Sequence, residues 1–227
     1  MNHRILSILR ARRARPVALA LAGTAAALLV AGCASGPSPE EAERDALQVI
    51  RTSFRDQGIA RTDRLNQDLA NDACSKAQGR EVSAAQAKAI EEASLRTVRP
   101  PAQGRYLGDW KEGEKIAQSG RGLTFTDDAK VVNGGNCYNC HQIDKKEISF
   151  GTIGPSLVQY GKLRGVTDPN SPAAQPIVEY TWGKLWNARA YNACSQMPRF
   201  GHMGILDETQ IRHVMALLLD PKSPVNQ

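Results

Sequence analysis

Cys137-Tyr138-Asn139-Cys140-His141 is the stretch that decides how this 227-residue chain folds. Its C-x-x-C-H spacing is the signature of covalent haem attachment. Two thiols at this spacing can each add to one vinyl group on the same edge of a porphyrin, and the adjacent imidazole can then ligate the iron. We therefore predict one haem c, attached through Cys137 and Cys140 and ligated by His141.

Two other chemistries also use paired cysteines at this spacing. A zinc site would need a second ligand pair, and the sequence contains no other C-x-x-C and no H-x-x-H. A thioredoxin-like dithiol would normally lie at a strand-to-helix turn of a βαβ unit, whereas the apolar periodicity here is helical. Haem attachment is the interpretation that residues 137–141 favour.

The second axial ligand must come from elsewhere in the chain, and Met197 is the leading candidate. It follows His141 by 56 residues, which is enough chain to pass around a haem edge. Pro198 disfavours helical backbone at the residue before it and so keeps Met197 in an extended loop. A thioether also suits a low-spin iron that transfers electrons. The rivals are His202 and Met203 in the same loop, and His213.

Neighbouring residues could support such a site. Gly154-Pro155 lies shortly after the histidine, and the proline carbonyl could accept the proton of the free ring nitrogen and so fix the imidazole. A simple turn before a helix is the alternative. Trp182 and Trp186 could donate to haem propionates, although core packing would place both side chains equally well.

The first 32 residues have the layout of a bacterial signal peptide, with five arginines, no acidic residue and an apolar run over 16–30. That run is shorter than the about 20 apolar residues that a membrane span needs. It ends in Val30-Ala31-Gly32-Cys33, which resembles a lipobox. We predict a periplasmic protein that is lipidated on Cys33 and held to a membrane only by this anchor. An ordinary signal peptide is the alternative.

The formal net charge of +6 belongs mostly to this leader. Without its five arginines, 24 basic residues remain against 23 acidic ones. The rest of the chain is therefore almost neutral, and no nucleic-acid partner is expected.

Four cysteines follow Cys33, and haem attachment would use two of them. The remaining pair, Cys74 and Cys194, is predicted to form a disulfide, because an oxidising compartment and an even count favour pairing. Two buried free thiols are the alternative.

The apolar pattern predicts an all-α protein with a signal peptide (1–32), a tether and helical extension (33–98) and a haem-bearing domain (99–227). In the extension, a helix over 39–56, a helical stretch with Leu65, Leu69 and Ala73 on one face, and a helix over 83–97 are expected. In the domain, the helical segments are 109–117, 171–192 and 207–219.

From Asp109 onward, the order of features resembles a class I cytochrome c: a helix with Gly113, then C-x-x-C-H, Gly-Pro-x-Leu, Met-Pro and a last helix. Three segments more narrowly resemble the SoxX family, the mono-haem subunit of the SoxAX cytochrome. They are Gly-Thr-Ile-Gly-Pro-Ser-Leu (151–157), Met-Pro-Arg-Phe-Gly (197–201) and Val-Met-Ala-Leu-Leu-Leu-Asp-Pro-Lys-Ser-Pro-Val-Asn (214–226). The resemblance implies a class I cytochrome c fold with an N-terminal helical extension, and makes His141 and Met197 the axial ligands.

SoxAX joins thiosulfate oxidatively to a cysteine of the SoxYZ carrier protein in the periplasm of sulfur-oxidising bacteria. The reactive haem belongs to SoxA. The resemblance therefore implies that this chain forms a heterodimer with a SoxA-like haem subunit, takes the released electrons and passes them to a small downstream cytochrome. It would be the electron-transfer part of an L-cysteine S-thiosulfotransferase and not catalytic alone. The 39–98 extension and the lipobox depart from the simplest SoxX pattern, and this leaves complex composition and anchoring open.

Two other functions share the same haem residues. One is a free-standing, lipid-anchored periplasmic electron carrier that serves a terminal oxidase or reductase. The other is a haem that binds or senses small ligands, which methionine ligation argues against because a ligand would have to displace the sulfur. No acid–base constellation is evident in the sequence, so any catalysis would need a second chain.

Overall fold

The computed structural model of the protein describes residues 36–227. Within these residues all regular secondary structure is helical, and no strand occurs. The predicted signal peptide and Cys33 lie outside the described residues. The all-α prediction is confirmed for this part of the chain. The described residues divide into two units, with the boundary between Phe54 and Arg55. Among the described helices, none has the length and apolarity to cross a membrane.

The α-helices of the described residues are numbered here in chain order. They are α1 (Pro39–Ser53), α2 (Leu69–Lys76), α3 (Ala84–Leu95), α4 (Trp110–Gln118), α5 (Tyr160–Leu163), α6 (Gln175–Trp186) and α7 (Glu208–Leu219). Short 3₁₀ turns occur at Thr62–Leu65, Ala102–Gly104, Cys137–Asn139, Ala188–Ala190 and Pro224–Asn226.

Helix α1 is the regular element of the first unit. It begins as predicted, with a capping box between Ser38 and Glu41. It ends at Ser53, slightly before the predicted end, because the backbone of Phe54 is extended. None of its residues is buried.

The second helical stretch differs from the prediction. Leu65 lies in a 3₁₀ turn, and α2 begins afresh at Leu69 because the side chain of Asp68 caps its N-terminus. Leu65 is exposed and Leu69 is 79% exposed. The predicted single apolar face through Leu65, Leu69 and Ala73 is therefore wrong, since the cap interrupts the helix.

Helices α3, α4 and α7 begin where the sequence predicts, whereas α5 was not predicted and α6 begins at Gln175 and not at 171. Ser83 caps α3, Asp109 caps α4 and Asp207 caps α7, each by accepting a backbone N–H of the first turn. Helix α6 is shorter than the predicted 171–192 segment, because Asn187 adopts extended backbone and ends it. Helix α7 ends before Asp220-Pro221, as predicted.

Helices α4 and α7 cross in close contact in the second unit. A Cβ atom on Gly113 would lie 2.1 Å from the backbone oxygen of His213. Only glycine therefore allows this approach. Next to the crossing, the Gly108 N–H donates to the Arg212 carbonyl at 2.8 Å, and the Asp109 N–H donates to His213 Nδ1 at 2.8 Å.

The core of this unit is formed mainly by α6 and α7. Its largest fully buried side chains are Trp182, Ile143, Ile211, Met215, Leu217, Leu219 and Val178. The indole N–H of Trp182 donates to the Arg99 carbonyl at 2.7 Å. The segment between α3 and α4, which contains Arg99, is thereby fixed to α6.

The buried side chain of Asn226 ties the C-terminus to two helices. Its oxygen accepts the N–H groups of Gly161 and Lys162 at 2.9 and 3.1 Å, and its nitrogen donates to the carbonyls of Leu218 and Asp220 at 3.1 and 2.9 Å. These bonds join the start of α5 to the end of α7.

Asn226→Ala should lower the free energy of unfolding by about 2 to 3 kcal/mol, because it leaves buried backbone groups without hydrogen bonds. Chemical denaturation of the purified protein measures this. The exposed Asn170, changed to Ala, is the control and should shift the midpoint little. Equal stability of both variants would contradict the structural role given to Asn226.

Candidate functional site

The attachment segment is one tight turn. Asn136 has left-handed backbone (φ 48°), and Cys137–Asn139 then form a 3₁₀ turn in which the N–H of His141 donates to the Cys137 carbonyl at 2.9 Å. Cys137 and Cys140 are both free thiols. The turn thus presents two unlinked thiols directly before an imidazole.

Helix α4 holds this turn in place. The Gly135 N–H donates to the Ile116 carbonyl at 2.8 Å, and the Asn136 N–H donates to the Ser119 carbonyl at 2.9 Å. A Cβ atom on Gly135 would lie 3.0 Å from the sulfur of Cys137. The absence of a side chain at Gly135 lets the backbone pass close beside this thiol.

The imidazole of His141 is fixed by the loop that follows it. Its Nδ1 lies 2.7 Å from the Pro155 carbonyl oxygen, the hydrogen bond that the sequence predicts. A carbonyl oxygen only accepts, so Nδ1 carries the proton and the lone pair of Nε2 is left for a ligand. A Cβ atom on Gly154 would lie 2.2 Å from Cε1 of the same ring. Glycine therefore lets the loop backbone lie directly against the imidazole.

Backbone hydrogen bonds attach that loop to the turn. The N–H groups of Gly151, Gly154 and Leu157 donate to the carbonyls of Tyr138, Cys140 and Gln142, at 2.8, 2.8 and 2.7 Å. A Cβ atom on Gly151 would lie 1.9 Å from the Asn139 carbonyl oxygen. The 151–157 loop and the 137–142 turn consequently form one structure around the His141 ring.

The protonation of Cys137 argues against a redox dithiol. Burial raises the pKa of the Cys137 thiol to about 12, with a further contribution from Cys140. A dithiol active site needs a cysteine whose pKa is lowered, because the thiolate is the nucleophile. Nor do three or more His, Cys, Asp or Glu side chains gather into a metal-binding group within residues 36–227, as a zinc site would require.

The candidates for the second axial ligand differ in their surroundings. Met197 is partly buried and packs against the same core cluster as Cys137. Met203 is 56% exposed, and His202 is also exposed. His213 lies at the crossing of α4 and α7, where its Nδ1 accepts the N–H of Asp109. Met197 is therefore the candidate that packs against this core cluster.

The two tryptophans are not equivalent. The N–H of Trp182 already donates to a carbonyl, whereas the N–H of Trp186 is buried and has no hydrogen-bond partner among residues 36–227. Leaving a buried donor unpaired is costly, so an acceptor from outside the chain is expected there. A Cβ atom on Gly201, in the Met197 loop, would lie 2.5 Å from the Trp186 ring. Trp186 therefore lies directly against that loop.

These residues fit haem c. The chain offers two free thiols, an imidazole with one defined tautomer, a thioether packed on the adjoining core and a buried donor that lacks an acceptor. These are the groups that thioether attachment, axial ligation and a propionate would use.

The loop that carries Met197 is joined to the preceding extension. Cys74 of α2 and Cys194 form a disulfide that spans 120 residues of sequence, with Cα atoms 5.6 Å apart. The structure thus contains the pairing that the cysteine count predicts. The Ala193 N–H also donates to Oε1 of Glu91 in α3, at 3.2 Å.

Sequence reasoning missed a second connection between these regions. The carboxylate of Asp68 pairs with Arg189 at 3.2 Å and with Arg199 at 2.6 Å. Asp68 is also the N-cap of α2, and that is the only role its local sequence indicates. The arginines lie more than 100 residues later, so no short-range pattern could reveal the ion pairs.

Comparison with known proteins gives one relative. The chain is 35% identical over 138 residues to an uncharacterized lipoprotein of Aquifex aeolicus (strain VF5), and the match covers 58% of this chain and 59% of that protein. The chain therefore spans less than two thirds of the relative it matches. No protein-family model matches the chain.

Proposed function

We propose that this chain is a mono-haem c-type cytochrome that transfers electrons. Cys137 and Cys140 form the thioether bonds, His141 and Met197 ligate the iron, and Trp186 donates to a propionate. When bound, haem c supplies reversible one-electron chemistry at its iron. The protein residues would hold His141 and Met197 in place as the two iron ligands.

The observation that carries this proposal is the hydrogen bond from His141 Nδ1 to the Pro155 carbonyl at 2.7 Å. It places a proton on Nδ1, so that in the neutral imidazole Nε2 is the nitrogen available as a metal ligand, and it fixes the plane of the ring. Because residue 154 is glycine, the loop backbone can lie directly against this ring.

The class I cytochrome c fold is part of this proposal. Its support is the order of elements in the second unit: α4 crosses α7 at Gly113, the C-x-x-C-H turn follows α4, and the Met197 loop precedes α7. This order is the one on which the resemblance to class I cytochromes c was based.

We further propose that the chain is the SoxX-like subunit of a SoxAX complex. The segments that resemble SoxX are those that build the site. Residues 151–157 hold the His141 ring, residues 197–201 contain Met197 and contact Trp186, and residues 214–226 form the second half of α7 and include Asn226. Joining thiosulfate to the carrier cysteine of SoxYZ forms a sulfur–sulfur bond and releases electrons, which this subunit passes to a small cytochrome.

Periplasmic anchoring through a lipid on Cys33 is also proposed. It is supported by the lipobox in the sequence and by the similarity to a lipoprotein. The same similarity also fits the second candidate function, a free-standing lipid-anchored electron carrier, which requires no partner subunit.

Haem attachment is tested with the double variant Cys137→Ala/Cys140→Ala. We expect complete loss of covalent haem, because each thiol forms one thioether. Haem staining after denaturing electrophoresis measures it. The matched control, Cys74→Ala/Cys194→Ala, removes the other cysteine pair and should keep the stain. Full staining of the first variant would refute the attachment site.

The second ligand is tested by comparing Met197→Ala with Met203→Ala. Loss of the thioether should abolish the weak near-infrared sulfur-to-iron absorption and lower the reduction potential, because methionine ligation raises it. The exposed Met203 should change neither quantity. The opposite pattern would show that Met203 is the ligand.

The partner is tested by co-purification and activity. We expect a stable heterodimer with a SoxA-like subunit that buries about 1,600 Å², the usual size of a specific interface. Ile148 and Ile153, 95% and 78% exposed beside the attachment turn, are candidate contact residues. Ile148→Asp/Ile153→Asp should weaken the complex, whereas Leu163→Asp, at another exposed site, should not.

The chain alone should be redox-active but should not consume thiosulfate in the presence of the carrier protein, and addition of the partner should restore turnover. Thiosulfate turnover by the chain alone, or purification without any second cytochrome, would favour the free-carrier function.

A further inference from the structure

The loop that carries Met197 is attached on both sides to one short helix. Three residues before the methionine, Cys194 is bonded to Cys74 within α2. Two residues after it, Arg199 pairs at 2.6 Å with Asp68, the N-cap of the same helix. The tip of the loop therefore lies between two connections to a single rigid element.

The two arginines of this ion-pair connection are largely buried, whereas the side chain of Asp68 is 42% exposed. The side chains of Arg189 and Arg199 are only 11% and 14% exposed, and Asp68 pairs with both. Burial opposes ionisation of Asp68, but the Asn71 N–H and the two arginines outweigh it, so the pKa of Asp68 lies below its usual value. Removing this carboxylate would leave two partly buried guanidinium groups without their shared partner.

The loop itself has little regular structure. Between the 3₁₀ turn Ala188–Ala190 and the start of α7 at Glu208 it contains no helix, and the residues on either side of Met197 are exposed. After Met197 the loop also contacts Trp186 of α6, where the His202 N–H donates to the Trp186 carbonyl at 3.0 Å. The position of the Met197 sulfur therefore depends in part on the attachments to α2.

We propose that Asp68 and the Cys74–Cys194 disulfide are positioning elements that keep the Met197 sulfur in place as an iron ligand. This inference rests on the proposed function, in which Met197 ligates haem iron. Without these attachments, the loop spends a larger fraction of time away from the iron. An external ligand can bind the iron only while Met197 is away from it. The apparent affinity of that ligand therefore rises in proportion to the fraction of molecules in which Met197 is displaced.

The test measures imidazole binding to the ferric full-length protein in two variants. Asp68→Asn keeps the helix cap, because asparagine caps as well as aspartate, and removes only the charge that pairs with the arginines. Cys74→Ser/Cys194→Ser removes the covalent link. The control is Asp72→Asn, which removes an exposed ion pair with Lys76 on the same helix.

We expect each variant to bind imidazole at least about tenfold more tightly than wild type, with a weaker sulfur-to-iron absorption and an unchanged far-ultraviolet circular dichroism spectrum. The control should behave as wild type. If Met197→Ala raises imidazole affinity but neither variant does, the positioning role is overturned and the proposed function stands. A wild-type protein without covalent haem or without the sulfur-to-iron absorption would overturn the proposed function itself.

Discussion

The close approach of α4 and α7 is the constraint on which the rest of the second unit depends. Gly113 permits it, because any side chain there would overlap the backbone of His213. The end of α4 then holds the attachment segment through the Ile116 and Ser119 carbonyls. From α7, Gln210 donates to the Asn133 carbonyl at 2.7 Å. The thiols and the imidazole are thus placed by a helix pair whose two members lie about 100 residues apart in sequence.

The features that could be predicted from the sequence have short-range or countable causes. The caps at Ser38, Ser83, Asp109 and Asp207 involve residues within one helical turn, so a stretch of four residues is enough to predict each of them. The Pro155 carbonyl could be assigned to His141 because a short loop joins them. The disulfide followed from the number of cysteines that haem attachment would leave over.

The features that escaped prediction depend on tertiary packing. Trp182 and Trp186 lie one turn apart on α6, and the sequence gives no reason to assign them different roles. Only the packed structure shows that Arg99 accepts from Trp182, while the Trp186 N–H finds no acceptor in the described residues. In the same way, the break before α2 reflects the capping by Asp68, which outweighs the helical spacing of the leucines.

The two axial donors of the proposed cytochrome are positioned in different ways. His141 is held by residues within 14 positions of it, so the proximal side is complete in one continuous segment. Met197 lies in a loop without helices, and contacts from α2, α3 and α6 fix this loop. An iron that changes oxidation state without losing a ligand needs both donors equally well fixed. The helices of the 55–98 region carry no reactive groups of their own. In the proposed cytochrome, their role is to fix the loop that carries the second of these donors.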